Sequence, residues 1–105
     1  MTSIKIIENK ISFIEKQLDI LKFFKKYSSE IIENDMLIRG AVERYLYLAV
    51  QASIDLVDAI IAFKDFRKPT TYRENFEILE EHKFIQPKLR ESMIQMTGFR
   101  NRIAH

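Results

Sequence analysis

A chain of 105 residues has room for one domain and one modest core, which excludes an enzyme with separate cofactor and substrate lobes. Two Gly, two Pro and no Cys exclude a disulfide-stapled scaffold, a cysteine-ligated zinc module and a turn-rich sandwich, while 47% apolar and 30% charged residues suit an amphipathic helical bundle better than disorder. Lys plus Arg 17 against Asp plus Glu 15 leaves only +2, short of the balance expected of a protein that holds long nucleic acids by phosphate contacts alone.

The spacing Ile4, Ile7, Ile11, Ile14, Leu18, Leu21 runs in steps of three and four and predicts a first helix over about residues 3–27 with one dry face. Ser28-Ser29-Glu30 and Asn34-Asp35 are rich in capping side chains and predict a break, with the next helix capped near Asn34 or Asp35. A long second helix, about residues 35–66, carries two apolar stripes. One is Ile38, Val42, Tyr45, Ala49, Ala52, Leu56, Ala59 and Phe63; the other is Leu46, Val50, Ile54, Val57 and Ile61. A helix apolar on two faces is packed on two sides, either central in its own bundle or shared with a second subunit, so a homodimer is expected through this helix and the last one. Between the stripes runs a polar line, Arg44, Gln51, Asp55 and Asp58, which reaches solvent or lines a cleft. Pro69 ends the helix. Thr71 and Glu74 have the form of a capping box opening a short third helix to about His82, and Pro87 opens a fourth, continued by Leu89, Met93, Met96 and Ile103. The expected architecture is all-α, a four- to five-helix up-and-down bundle in a single domain over residues 1–105. No apolar run approaches the roughly 18–20 residues that span a bilayer, and no signal peptide is visible, so a cytoplasmic location without membrane attachment is expected.

Little catalytic equipment is available. The chain has no thiol, and His82 and His105 are too far apart in sequence to form a compact cluster, so no metal and no cofactor are expected. Gly40 and Gly98 stand alone inside helical patterns and read as close packing points rather than as a phosphate loop. What remains is Gly98-Phe99-Arg100-Asn101-Arg102-Ile103-Ala104-His105. Cations there suit the negative end of an ordinary helix. A functional reading requires convergence: Asn101 and His105 share a face, whereas Arg100 lies about 140° around and about 7.5 Å below His105. Two copies of this helix facing one another close the gap, each supplying Arg, Asn and His to a shared pocket. Such a pocket suits RNA, since arginine holds phosphate and histidine moves protons near neutral pH.

Arg100-Asn101-Arg102-Ile103-Ala104-His105 resembles the Arg, four to six residues, His motif of the HEPN superfamily of ribonucleases. The surroundings resemble the minimal HEPN toxins of the HepT type across nearly the whole chain: Ile38-Arg39-Gly40-Ala41-Val42-Glu43-Arg44-Tyr45, Ala52-Ser53-Ile54-Asp55, Thr71-Tyr72-Arg73-Glu74-Asn75-Phe76-Glu77-Ile78-Leu79 and Gly98-Phe99-Arg100-Asn101. The resemblance implies a dimeric helical bundle that cuts RNA without a metal. Its antitoxin would be a small MNT-type nucleotidyltransferase, in a type VII-like toxin–antitoxin pair. It assigns Arg100 and His105 as the catalytic pair and Asn101 and Asp55 as supporting groups. Family members usually carry a Tyr two residues past the His, which the partner can modify with AMP; the present sequence stops at His105. The alternative is a non-catalytic helical module that binds a nucleotidyltransferase and presents its substrate.

Overall fold

The computed structural model describes residues 3–104 as five helices: α1 (Ile4–Phe23), α2 (Ser29–Asn34), α3 (Met36–Phe63), α4 (Tyr72–Glu81) and α5 (Pro87–Ala104). A 3-10 turn over Phe24–Lys26 follows α1, and no strand occurs among the described residues. The all-α class and the helix count are as expected from the sequence.

Local chemistry sets the boundaries. Ser3, Ser28, Asp35 and Thr71 each lend a side-chain oxygen to the unpaired amides of the following helix, Asp35 to both Leu37 and Ile38. Pro87 occupies the first position of α5, where its missing N–H costs nothing. Three boundaries differ from expectation. Residues 29–34, read as a break, form the one-and-a-half-turn α2, because Ser28 caps it as a helix start. The first helix ends its α-helical part at Phe23 and tightens into the 3-10 turn. The second predicted helix stops at Phe63, three residues early, because Asp65 adopts φ 56°.

With Asp65 left-handed, Phe66 N donates to Ile61 O and Asp65 N to Ala62 O, the paired bonds of a Schellman closure. The same closure ends α4, with Lys83 at φ 62°, Phe84 N on Leu79 O and Lys83 N on Glu80 O. The two closures lean on each other. His82 stacks on Phe66 at 3.5 Å between ring centroids, and Phe84 lies 5.9 Å from the same ring.

α3 is the spine: 28 residues at 1.5 Å rise give about 42 Å, against a longest molecular dimension of 45 Å. Both of its apolar stripes are used inside the chain. Val50, Ile54, Val57 and Ile61 form the main core with Phe76, Ile78 and Leu79 of α4, backed by Met93, Ile94 and Met96 of α5. On the other side Ala49, Ala52 and Ala59 are buried and Tyr45 meets Phe24, 6.3 Å between rings, where α1 lies along α3. The central position in its own bundle therefore accounts for the two stripes, and they carry no argument for a dimer.

The first helix corrects expectation in the opposite sense. Ile7, Ile14 and Leu21 are half-buried, but Ile4, Ile11, Leu18 and Phe13 remain exposed, because α1 packs chiefly on α3 and one partner covers only part of a wide stripe. Its one buried residue is Gln17, whose Oε1 has no hydrogen-bond partner. Met36 and Leu37, 87% and 86% exposed, project where α3 begins. The glycines are not packing points: nothing lies within 4 Å of a Cβ placed on Gly40, and only Arg102 Nη1, at 3.8 Å, meets one on Gly98. Nor is the chain free of long apolar segments, since α3 contains an 18-residue window of mean hydropathy 1.7, long and apolar enough to cross a membrane by composition. Its interrupted sequence hid this, and its apolar residues supply the core just described.

Candidate active site

The last turns of α5 deliver Arg100 against the middle of α3. The side chain is only 9% exposed. Nη1 donates to Oε1 of Gln51 on α3, and Nη2 donates to Oδ1 of the adjacent Asn101. Gln51 then donates from Nε2 to Asp55 Oδ1 at 3.1 Å, one helical turn along α3. This order is dictated by chemistry: a carboxylate at 55 takes the amide's N–H end, which turns the amide oxygen toward the guanidinium. Aromatic faces complete the enclosure, with the Tyr72 ring centroid 4.8 Å and the Tyr47 centroid 5.9 Å from Arg100 Cζ.

The electrostatics of this arrangement are unusual. Among the described residues no carboxylate pairs with Arg100; its two bonded partners are neutral amide oxygens, and its Nε is buried without a partner. A guanidinium removed from water without a counter-ion carries a desolvation cost of several kcal/mol. The C-terminal end of α5 offsets part of it. The remainder makes the position attractive to an external anion.

Two clefts adjoin residues that hold the arginine, one at Tyr47 and one at Gln51. One, of about 420 Å³, is lined by Gly40, Glu43, Arg44, Tyr47 and Ile103, with Arg44 Cζ 5.8 Å from the Tyr47 ring. The other, of about 430 Å³, lies between α1 and α3 and includes Lys10, Gln51 and Asp55. The polar line of α3 thus lines clefts at Arg44, Gln51 and Asp55, with Arg44 and Asp58 also reaching solvent. Among the described residues no three His, Asp or Glu side chains come together as a metal site.

Of the residues expected to act, Arg100, Asn101 and Asp55 belong to one hydrogen-bonded chain, although Asp55 reaches Arg100 only through Gln51. His105 lies outside the described residues. Sequence reasoning gave no role to Gln51, Tyr47 or Tyr72. Gln51 was within reach, since it sits four residues before Asp55 on one helix face; nothing in the sequence marks Tyr72 as a neighbour of Arg100.

Residues 13–105 match the family described as Ribonuclease HepT-like. The tRNA nuclease HepT of Aphanizomenon flos-aquae (strain 2012/KM1/D3) is 33% identical over 107 aligned positions, spanning all of this chain and 73% of that protein. Among solved structures, the tri-AMPylated HEPN toxin of Shewanella oneidensis in complex with MNT antitoxin superposes with a TM-score of 0.86 at 24% identity, covering 94% of this chain and 74% of that one. A toxin–antitoxin structure with AMP-PNP gives 0.85 at 24% identity over 96% and 76% of the two chains. At that identity the structural likeness speaks for the fold.

Proposed function

This chain belongs to the HepT-like ribonuclease family of the HEPN superfamily, and from that membership together with the site we propose that it is a metal-independent endoribonuclease toxin acting on tRNA. The observation that carries the proposal is the buried, unpaired guanidinium of Arg100. A structural arginine at that depth would be matched by a carboxylate, whereas this one is held by neutral oxygens and two aromatic faces, as a receptor for a phosphate would be. The tRNA substrate is supported by the name of the relative from Aphanizomenon flos-aquae.

In the proposed mechanism Arg100 binds the scissile phosphate and offsets the charge that accumulates on its oxygens in the transition state. Asp55 and Gln51 fix the guanidinium plane, and Asn101 holds the other edge. His105 takes the proton from the 2′-hydroxyl or gives one to the leaving 5′-oxygen, with a second His105 from a partner copy available for the complementary transfer. Arginine supplies the fixed charge and histidine the proton transfer, so the step requires no metal. A homodimer places two such sets in one cleft, and the exposed apolar line Ile4, Ile11 and Leu18 and the tip Met36-Leu37 supply surface that another chain can cover. An MNT-type nucleotidyltransferase antitoxin is proposed as the second partner, in line with the solved structural relative. A cytoplasmic location belongs to the same proposal.

The test is incubation of a tRNA pool with the protein in chelator. Cleavage that disappears in Arg100→Met and in His105→Ala supports the reading; intact tRNA together with tight binding to the nucleotidyltransferase replaces it with the non-catalytic module. Light scattering at micromolar protein should give twice the chain mass, and a monomer would remove the shared cleft.

A further inference from the structure

Beside Arg100, and outside the hydrogen-bonded chain, lies a third cleft of about 500 Å³ lined by Asp58, Pro69, Thr70, Thr71, Tyr72 and Asn75. Its volume falls within the range of small-molecule sites. It shares the Tyr72 ring with the candidate active site, since that ring lies 4.8 Å from Arg100 Cζ and also lines the cleft. Tyr72 is 44% exposed, so its aromatic surface is accessible.

The polar groups select the ligand. Asn75 is 2% exposed and donates from Nδ2 to Asp58 Oδ1 at 2.6 Å, which holds the carboxylate in one orientation. The threonine oxygens are turned toward Glu74: Thr70 donates to its Oε2, and Thr71 Oγ1 receives its amide, which leaves the Thr71 O–H as a donor rather than an acceptor. Asp58 Oδ2 receives no hydrogen bond from the described residues, so this lining residue keeps a free carboxylate acceptor. A carboxylate repels phosphate, so the cleft is not an extension of the anion site. An aromatic ring beside a fixed acceptor matches an unstacked nucleobase whose edge donates N–H, as cytosine does from N4 and adenine from N6.

We propose that this cleft is a nucleobase subsite, in which Tyr72 stacks a base bearing an exocyclic amino group and Asp58, oriented by Asn75, accepts from that group. The proposal rests on the endoribonuclease reading for its biological role, with the base adjoining the phosphate at Arg100 as its natural occupant. Uracil, which presents a carbonyl at the corresponding edge position, is disfavoured.

The experiment is a titration of the isotopically labelled full chain with cytidine, adenosine and uridine, nucleosides that carry no phosphate for Arg100. It is paired with cleavage of short RNAs in chelator that differ only at the nucleotide flanking the cut. Cytidine and adenosine should shift the signals of Tyr72 and Asn75 and bind about tenfold or more tightly than uridine. Asp58→Asn, which offers N–H in place of a carboxylate oxygen, should reverse that order. Tyr72→Ala, a change at an exposed side chain, should weaken every nucleoside about tenfold or more. The base order in RNA cleavage should follow the same pattern. Equal binding of the three nucleosides to the parent, or shifts that avoid Tyr72 and Asn75, overturns the subsite. Base-selective binding without RNA cleavage leaves the subsite standing and removes the endoribonuclease; cleavage with no base preference and no nucleoside binding does the reverse.

Discussion

Two arginines in this chain meet opposite treatment. Arg67, in the connection between α3 and α4, is exposed and doubly clamped, with Nη2 2.6 Å from Glu81 Oε1 and Nη1 2.8 Å from Glu74 Oε1. Arg100 is buried and has no carboxylate partner among the described residues. Each pattern has an energetic meaning. An exposed pair gives up little hydration and gains little, so Arg67 fastens a connection whose charges are already matched. A buried cation beside neutral oxygens keeps most of its field, and that field is available to something else. The contrast separates an arginine that ties the fold together from one that the fold carries for a ligand.

The strongest way to break the comparison is Arg100→Met, which keeps bulk and removes charge. Cleavage should fall to background while the melting temperature stays level or rises, since replacing an unpaired buried charge by an apolar side chain is often neutral or stabilising. A collapse in melting temperature would place Arg100 with Arg67 as structural. Arg100→Lys should retain less than about a tenth of the activity, because an ammonium lacks the planar fork. Next in size is Asp55→Asn, which frees the Gln51 amide to turn over. Activity should drop several-fold with stability within about 0.5 kcal/mol, and an unchanged rate would withdraw the orienting role.

Effects on the other side should be confined to stability. Lys83→Gly relieves the left-handed strain after α4 and should add about 0.5–1 kcal/mol in urea unfolding without altering cleavage. Smallest is the clamp itself. The Thr70 hydroxyl first and Arg67 second hold Glu74 below its usual 4.5, Arg67 does the same for Glu81, and Glu81 and then Glu74 push Arg67 upward. Depressed folded-state carboxylates contribute stability above the unfolded value, and that contribution is lost as pH falls through the folded one. The melting temperature of Arg67→Met should therefore lie slightly below the parent at pH 7 and converge with it in acid as the two depressed carboxylates protonate, and high salt should narrow the gap at neutral pH. A gap that widens in acid would contradict the assignment.

The helices were legible in the sequence because caps and periodicity are local: Asp35, Thr71 and Pro87 mark starts that the fold uses. The end of α4 near His82 was legible as well, but the end of α3 was not, because the non-glycine Asp65 closes it in the left-handed state, where Phe66 packs against His82 and Phe84 across the two helix ends. Of the candidate site, Arg100 and Asn101 were readable as neighbours. The link from Arg100 to Gln51 spans 49 positions, and no periodicity within a single helix encodes it. Nor did periodicity distinguish the half of the α1 stripe that packs on α3 from the half that stays exposed.

The enclosure of Arg100 also gives the protein a built-in optical reporter. The chain has no tryptophan and four tyrosines, so tyrosine is its dominant ultraviolet chromophore. Two of the four, Tyr47 and Tyr72, hold their rings within 6 Å of the Arg100 guanidinium. Any phosphate that draws that cation away, or any base that settles on Tyr72, changes the field and the stacking around half of the emitting groups. Occupancy of the site can therefore be followed in the unlabelled protein by tyrosine emission, with Tyr27 and Tyr45, which lie near Phe24, as an internal baseline.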